Sequence, residues 1–321
     1  MKAAVLDKSG AIPQYREITD PVPGREEQIM YVKACSIKNI DRMLVNDSHY
    51  DHYRNFPVVI GTDGVGILED GRRVYSGGRS GMMAEKVIVN NNWFVPVPEE
   101  MDWVTAAALP NPAVSAWLSL EYKGRLNKGD AVLILGATGV TGRLAIQIAK
   151  HLGAGKVVAL GRNQKILESL PDLGADVIIS LSESRGKIQE ALESAFRKQP
   201  FAIVLDYLWG EPAEQVLNIL TGHDLEAESQ RVRWIQIGEM AGPTIRLNAA
   251  TLRSSGIEIS GQGGGGISNE IMAKIPSIIS QIFQLSKENK ISIDTETISL
   301  RDIESAWSRK NEDGKRFVVS I

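Results

Sequence analysis

The sequence predicts an α/β protein in two parts, a β-rich domain followed by a doubly wound parallel-sheet domain. Three observations predict it. Short apolar runs broken by turn residues fill the first hundred positions. From about residue 130, continuous apolar runs alternate with stretches whose apolar residues recur at helical spacing. A glycine-rich turn joins the first of those runs to the first of those stretches.

The early strand candidates are Lys2–Leu6, 28–34, 65–68 and 85–89. Pro23-Gly24, Glu69-Asp70-Gly71 and Ser76-Gly77-Gly78 are the turns between them, which suits a compact, mostly antiparallel barrel or sandwich. The run Ala131-Val132-Leu133-Ile134-Leu135 is apolar throughout, as a strand covered on both faces should be. Leu144, Ala145, Ile148, Ala149 and Leu152 then mark one face of a helix. Further strands fit 157–160, 176–179, 202–206 and 234–237, with a helical stretch around 165–170. Strands alternating with helices mean βαβ units and a parallel sheet. An amphipathic stretch over 271–285 and a last strand over 317–320 close the chain. The expected domains are 1–112 with 264–321, and 113–263.

Composition narrows the function classes. The chain has 321 residues, 43% hydrophobic and 23% charged, which excludes a disordered or coiled-coil protein. Lys plus Arg is 36 against 39 Asp plus Glu, so there is no basic excess for tracking nucleic-acid phosphates. Cys35 is the single cysteine, and no internal disulfide can form. The opening residues lack a signal-peptide run, and no apolar stretch could span a bilayer. A soluble, cytoplasmic protein with no nucleic-acid or membrane partner is expected.

Gly136-Ala137-Thr138-Gly139-Val140-Thr141-Gly142 lies between a buried strand and an amphipathic helix. In that context a glycine turn points to a dinucleotide site. Glycines keep the turn tight and let backbone amides approach a pyrophosphate, while the helix N-terminus offers unpaired N–H groups. NAD sites usually end the second strand with a carboxylate for the ribose hydroxyls. Here Gly161-Arg162-Asn163-Gln164-Lys165 follows that strand, with no carboxylate and two cations. Arg offers a planar fork for phosphate oxygens and Lys a point charge, so NADPH is the expected cofactor. Gly161→Asp combined with Arg162→Ala is expected to reverse that preference.

The same residues, with Lys2-Ala3-Ala4-Val5, Val32-Lys33-Ala34-Cys35-Ser36, Gly61-Thr62-Asp63-Gly64-Val65-Gly66 and Leu109-Pro110-Asn111, carry a family resemblance. Gln236-Ile237-Gly238 and Gly314-Lys315 extend it almost to the end of the chain. Together they resemble the medium-chain dehydrogenase/reductase superfamily, and are most similar to its zinc-independent quinone oxidoreductase branch. The resemblance implies a GroES-like catalytic domain and a Rossmann domain, with the cofactor in the cleft between them. It implies a homodimer through the last strands of the Rossmann sheet, here 257–260. The implied cofactor-binding set is Asn111, Gly136, Thr138, Gly139, Val140, Thr141, Gly161, Arg162, Asn163, Lys165, Ile237, Gly238, Gln262 and Gly263.

Departures from the family pattern bear on the chemistry. Zinc-containing members read Gly-His-Glu where this chain has Gly61-Thr62-Asp63, and the four-cysteine structural zinc lobe cannot exist. His49 and His52 have metal-like spacing but no convincing third ligand, and His151 and His223 read as structural. No metal is expected. Quinone reductases often read Asn-Pro-x-Asp where this chain has Lys38-Asn39-Ile40-Asp41. Lys38 could donate to a substrate carbonyl or pair with Asp41. Tyr50 and Tyr53, in an aromatic and polar stretch suited to a planar acceptor, are the other candidate donors. Trp93 and Trp103 read as core. The implied reaction is NADPH-dependent hydride transfer to a quinone or other conjugated carbonyl. Alternatives are a 2-enoyl reductase, or a non-enzymatic NADPH-binding protein of the crystallin kind.

Overall fold

The computed structural model describes residues 1–78, 81–221, 231–309 and 314–321. His223 lies outside them. The chain divides into two compact units, Met1–Asn111 with Ile275–Ile321, and Pro112–Lys274.

In the first unit, Glu27–Ser36 is the organising strand. It pairs antiparallel with Asp63–Leu68, Lys86–Asn90 and the closing strand Arg316–Ser320. Its inward residues Met30, Val32 and Cys35 join Leu6, Ile60, Met83, Val87 and Val319 in one apolar cluster. Lys2–Leu6, Gln14–Glu17 and Val58–Val59 form a separate three-stranded sheet. The mostly antiparallel reading of this part holds, with one parallel pair, Thr295–Ser299 beside Arg316–Ser320. The expected amphipathic stretch over 271–285 is two helices, Asn269–Met272 and Ile275–Lys287, and the longer one buries Ile278, Ile279, Ile282 and Phe283.

The second unit is a parallel sheet of β1 (Ala131–Leu135), β2 (Lys156–Gly161), β3 (Val177–Ser180), β4 (Phe201–Asp206), β5 (Val232–Gln236) and β6 (Ile257–Gly261). Their spatial order is β3-β2-β1-β4-β5-β6, with every pairing parallel. That is the strand order of a dinucleotide-binding sheet, which reverses direction between β1 and β4. All five residues of β1 are buried, as the centre of such a sheet requires. Helices α1 (Val140–His151), α2 (Arg185–Lys198) and α3 (Gly210–Leu220) connect strands. The helix expected near 165–170 is shorter, Gln164–Leu167, because Pro171 opens a separate 3-10 turn over Leu170–Leu173.

Candidate functional site

Chain reversals after β1, β2, β4, β5 and β6 collect most of the predicted cofactor residues at one edge of the second unit's sheet. Gly136 leaves β1 with φ 86°, a conformation suited to glycine, and its N–H and that of Ala137 both donate to Leu160 O, at 3.0 and 2.8 Å. Thr138, Gly139, Val140 and Thr141 carry the chain into α1, whose N-cap is Gly139. A Cβ at Gly142 would lie 2.4 Å from Gly136 O, so glycine there is dictated by the turn's own backbone. Gly139 is different. It is exposed, its φ is −76°, and a Cβ would meet nothing nearer than Gly136 O at 3.4 Å. The fold does not require glycine at 139, so the open space above this backbone suits an approaching ligand. The first amides of α1 face that end of the helix without intrahelical partners. Turn, bare backbone and helix end fit a pyrophosphate.

At the end of β2, Arg162 and Lys165 are exposed, and neither side chain has a hydrogen bond or ion pair among the described residues. Asn163 caps the following helix, its Oδ1 accepting from Ile166 N at 3.2 Å. Gly161 bears on one expectation. A Cβ there would lie 2.4 Å from Thr138 Cγ2 and 2.8 Å from its Oγ1, so the aspartate meant to reverse cofactor preference requires the Thr138 side chain to shift. Ile237 and Gly238 follow β5, and both amides donate to Asp206 O, at 2.8 and 3.1 Å. Gln262 N donates to Gln236 O at 2.8 Å, and Gly263 follows. Asn111 lies in the first turn of the helix Pro110–Leu118.

In the first unit, helix Asn39–Val45 begins directly after the organising strand, with Lys38 as its N-cap. Lys38 is 2% exposed. Its Nζ donates to Ser36 O at 3.0 Å and lies 3.2 Å from Asp63 Oδ1 and 3.3 Å from Asp41 Oδ2. Three acceptors match the three donors of an ammonium. Burial alone would pull the Lys38 pKa down, but Asp41 and Asp63 together raise it above the ordinary lysine value. Of the two roles open to Lys38, the pair with Asp41 is the one formed. Asp41 also accepts from Lys38 N at 2.8 Å and Thr62 N at 3.0 Å, and Thr62 Oγ1 donates to Asp63 Oδ2 at 3.3 Å. Arg316 is buried nearby, donates to Ile37 O at 3.0 Å, and is pulled down to about 10 by burial.

Tyr53 is half-buried against the apolar cluster. Burial first, then Asp41, raises its phenol pKa while a Gly61 backbone hydrogen bond opposes the shift, so the group stays protonated. Tyr50 is 71% exposed and stacks on His49 with ring centroids 3.9 Å apart. His52 Nδ1 lies 3.9 Å from Asp47 Oδ1, while His49 Nδ1 accepts from Asp51 N at 3.1 Å, so the histidines face different partners. Among the described residues, no three His, Cys, Asp or Glu side chains are grouped to hold a metal ion.

The family model for zinc-binding dehydrogenases matches residues 140–223. A relative from Emericella nidulans, a probable NADPH-dependent quinone reductase tdiC, is 27% identical over 99% of both chains. These likenesses are to proteins of the quinone oxidoreductase type. Another relative in these reductases is the Danio rerio mitochondrial NAD(P)H oxidoreductase RTN4IP1, 31% identical over 51% of this chain and 45% of its own length. The Thermus thermophilus quinone oxidoreductase, solved alone and with NADPH, superposes with TM-score 0.81 at 22% identity, covering 100% of both chains. Its likeness confirms the GroES-like and Rossmann pair of folds expected of this superfamily.

Two residues that matter to the sheet edge were missed in the sequence. Asp206 was legible only as the end of a strand, yet its buried carboxylate organises the loop after β4. Tyr207, the next residue, carried no recognisable motif.

Proposed function

We propose that this chain is an NADPH-dependent reductase that passes hydride to a quinone or another conjugated carbonyl without zinc. The observation that carries the reading is the pair of uncommitted cations, Arg162 and Lys165, at the end of β2 beside the phosphate turn. The guanidinium of Arg162 provides a fork for two oxygens of a 2′-phosphate, and Lys165 adds a second positive charge. The α1 N-terminus and the bare backbone at Gly139 hold the pyrophosphate. The name of the full-length Emericella nidulans relative supports the same cofactor and acceptor class.

Bound NADPH supplies the hydride, and the chain's own part is to position, exclude water and stabilise charge. Negative charge develops on the acceptor's carbonyl oxygen. A donor aimed at that oxygen stabilises it, and Tyr53, whose phenol stays protonated, and Tyr50 are the candidates. Lys38 acts through the fold, because its ammonium already meets three acceptors. That ammonium also balances Asp41 and Asp63 where a metal ion would otherwise find its carboxylates, which supports zinc-free chemistry. No helix among the described residues is long and apolar enough to cross a membrane. The proposed assembly is a homodimer through β6, the terminal strand of its sheet, whose outer edge pairs with no strand among the described residues.

The test is NADPH oxidation with a quinone and, separately, with a medium-chain enone. Turnover with the quinone supports the reading. Turnover with the enone alone makes the protein an enoyl reductase, and tight NADPH binding without either turnover makes it a non-enzymatic binder.

A further inference from the structure

The loop after β4 holds a group that the proposed function leaves unused. Tyr207 is 8% exposed, and its hydroxyl is buried with no hydrogen-bond partner among the described residues. A buried donor without a partner is costly, and phenylalanine would fill the same ring volume without that cost. Burial raises the phenol's pKa, so the group remains a donor.

The surrounding backbone is held firmly. Asp206, fully buried, accepts from Leu208 N at 2.9 Å, Trp209 N at 2.8 Å and Trp234 Nε1 at 3.2 Å. Trp209 has φ 53° and ψ −158°, a conformation that non-glycine residues rarely adopt. Such backbone persists where the surroundings over-determine it, and it concentrates at ligand sites.

Tyr207 N donates to Leu135 O at 3.1 Å, tying the residue to the end of β1. A Cβ on Gly136 would lie 3.2 Å from Tyr207 Cβ, and one on Gly238 would lie 2.8 Å from Tyr207 O. The Cβ and backbone of Tyr207 therefore pack against both glycine turns, where the strand order reverses. Arg162 is at the end of β2, on the opposite side of β1 from β4. If the β2 side takes the phosphate-bearing adenosine, the β4 side takes the other half of the dinucleotide.

We propose that the Tyr207 hydroxyl donates a hydrogen bond to the nicotinamide half of bound NADPH, an inference that rests on the cofactor reading above. The experiment is calorimetric titration of wild type and Tyr207→Phe with NADPH and with adenosine 2′,5′-bisphosphate, which lacks the nicotinamide half. Tyr207→Phe should weaken NADPH about threefold to tenfold. Its affinity for the bisphosphate should not change, and its unliganded Tm should be equal or higher. NADPH affinity equal to wild type, or equal losses for both ligands, would overturn the proposal. A fall in unliganded Tm with NADPH affinity retained would likewise overturn it, marking the hydroxyl as structural. Wild type that binds neither ligand overturns the cofactor reading itself, whereas wild type that binds both isolates the result to Tyr207.

Discussion

Around Lys38, buried charge in the first unit is answered from within. The ammonium meets Ser36 O, Asp41 and Asp63, and Asp41 in turn takes the amides of Lys38 and Thr62. At the C-terminal edge of the second unit's sheet the opposite holds. Arg162, Lys165 and the Tyr207 hydroxyl have no partner among the described residues, and Gly139 leaves backbone bare without steric need. The first arrangement satisfies its charges within the fold, and the second leaves donors and positive charge open to the cofactor we propose. Chemical type alone would not separate them, since a buried lysine and an exposed arginine are both candidate catalytic groups.

Removing its cation tests the first region. Lys38→Met should cost about 3–5 kcal/mol, because Asp41 and Asp63 would be left buried without their cation. Urea denaturation measures it, and a loss below roughly 1 kcal/mol would show that the cluster does not depend on this ammonium. Next comes the bare backbone. Gly139→Val should leave the chain folded but weaken NADPH binding about a hundredfold, near 2.7 kcal/mol, since a branched side chain would stand in the pyrophosphate's approach. Wild-type affinity in the folded variant would remove the turn from the site. Gly142→Ala should act in reverse, lowering stability by roughly 1–3 kcal/mol through overpacking against Gly136 O. A stable Gly142→Ala variant would contradict the distinction between the two glycines. The smallest effect is none at all. Dialysis against a chelator should leave turnover unchanged, and a loss restored by added zinc would contradict the metal-free reading.

What could be read in advance follows from what is local. The β1 run, the glycine turn and the apolar face of α1 are contiguous in sequence, and their period and order expressed a dinucleotide sheet. Arg162 and Lys165 were legible for the same reason, standing at a fixed offset from the turn. The partners of Lys38 were only half legible. Asp41 is three residues away, but Asp63 and Arg316 reach the cluster through strand pairing, which no short-range pattern expresses. The obstruction at Gly161 was hidden too, since it depends on Thr138 folding back over the end of β2. Tyr207 gave no signal because its role rests on lacking a partner, and that is visible only once the neighbours are placed.

We propose that Arg162 selects NADPH. A hydrogen bond to a charged group contributes roughly 1.5–3 kcal/mol, and about 1.4 kcal/mol is tenfold in affinity. The measurement is kcat/KM for NADPH and for NADH, with a quinone acceptor, in wild type and Arg162→Ala. Wild type should prefer NADPH, and Arg162→Ala should lower the NADPH value about tenfold to a hundredfold while NADH barely changes. A wild type that already prefers NADH, or an Arg162→Ala variant that loses both cofactors equally, would contradict the account.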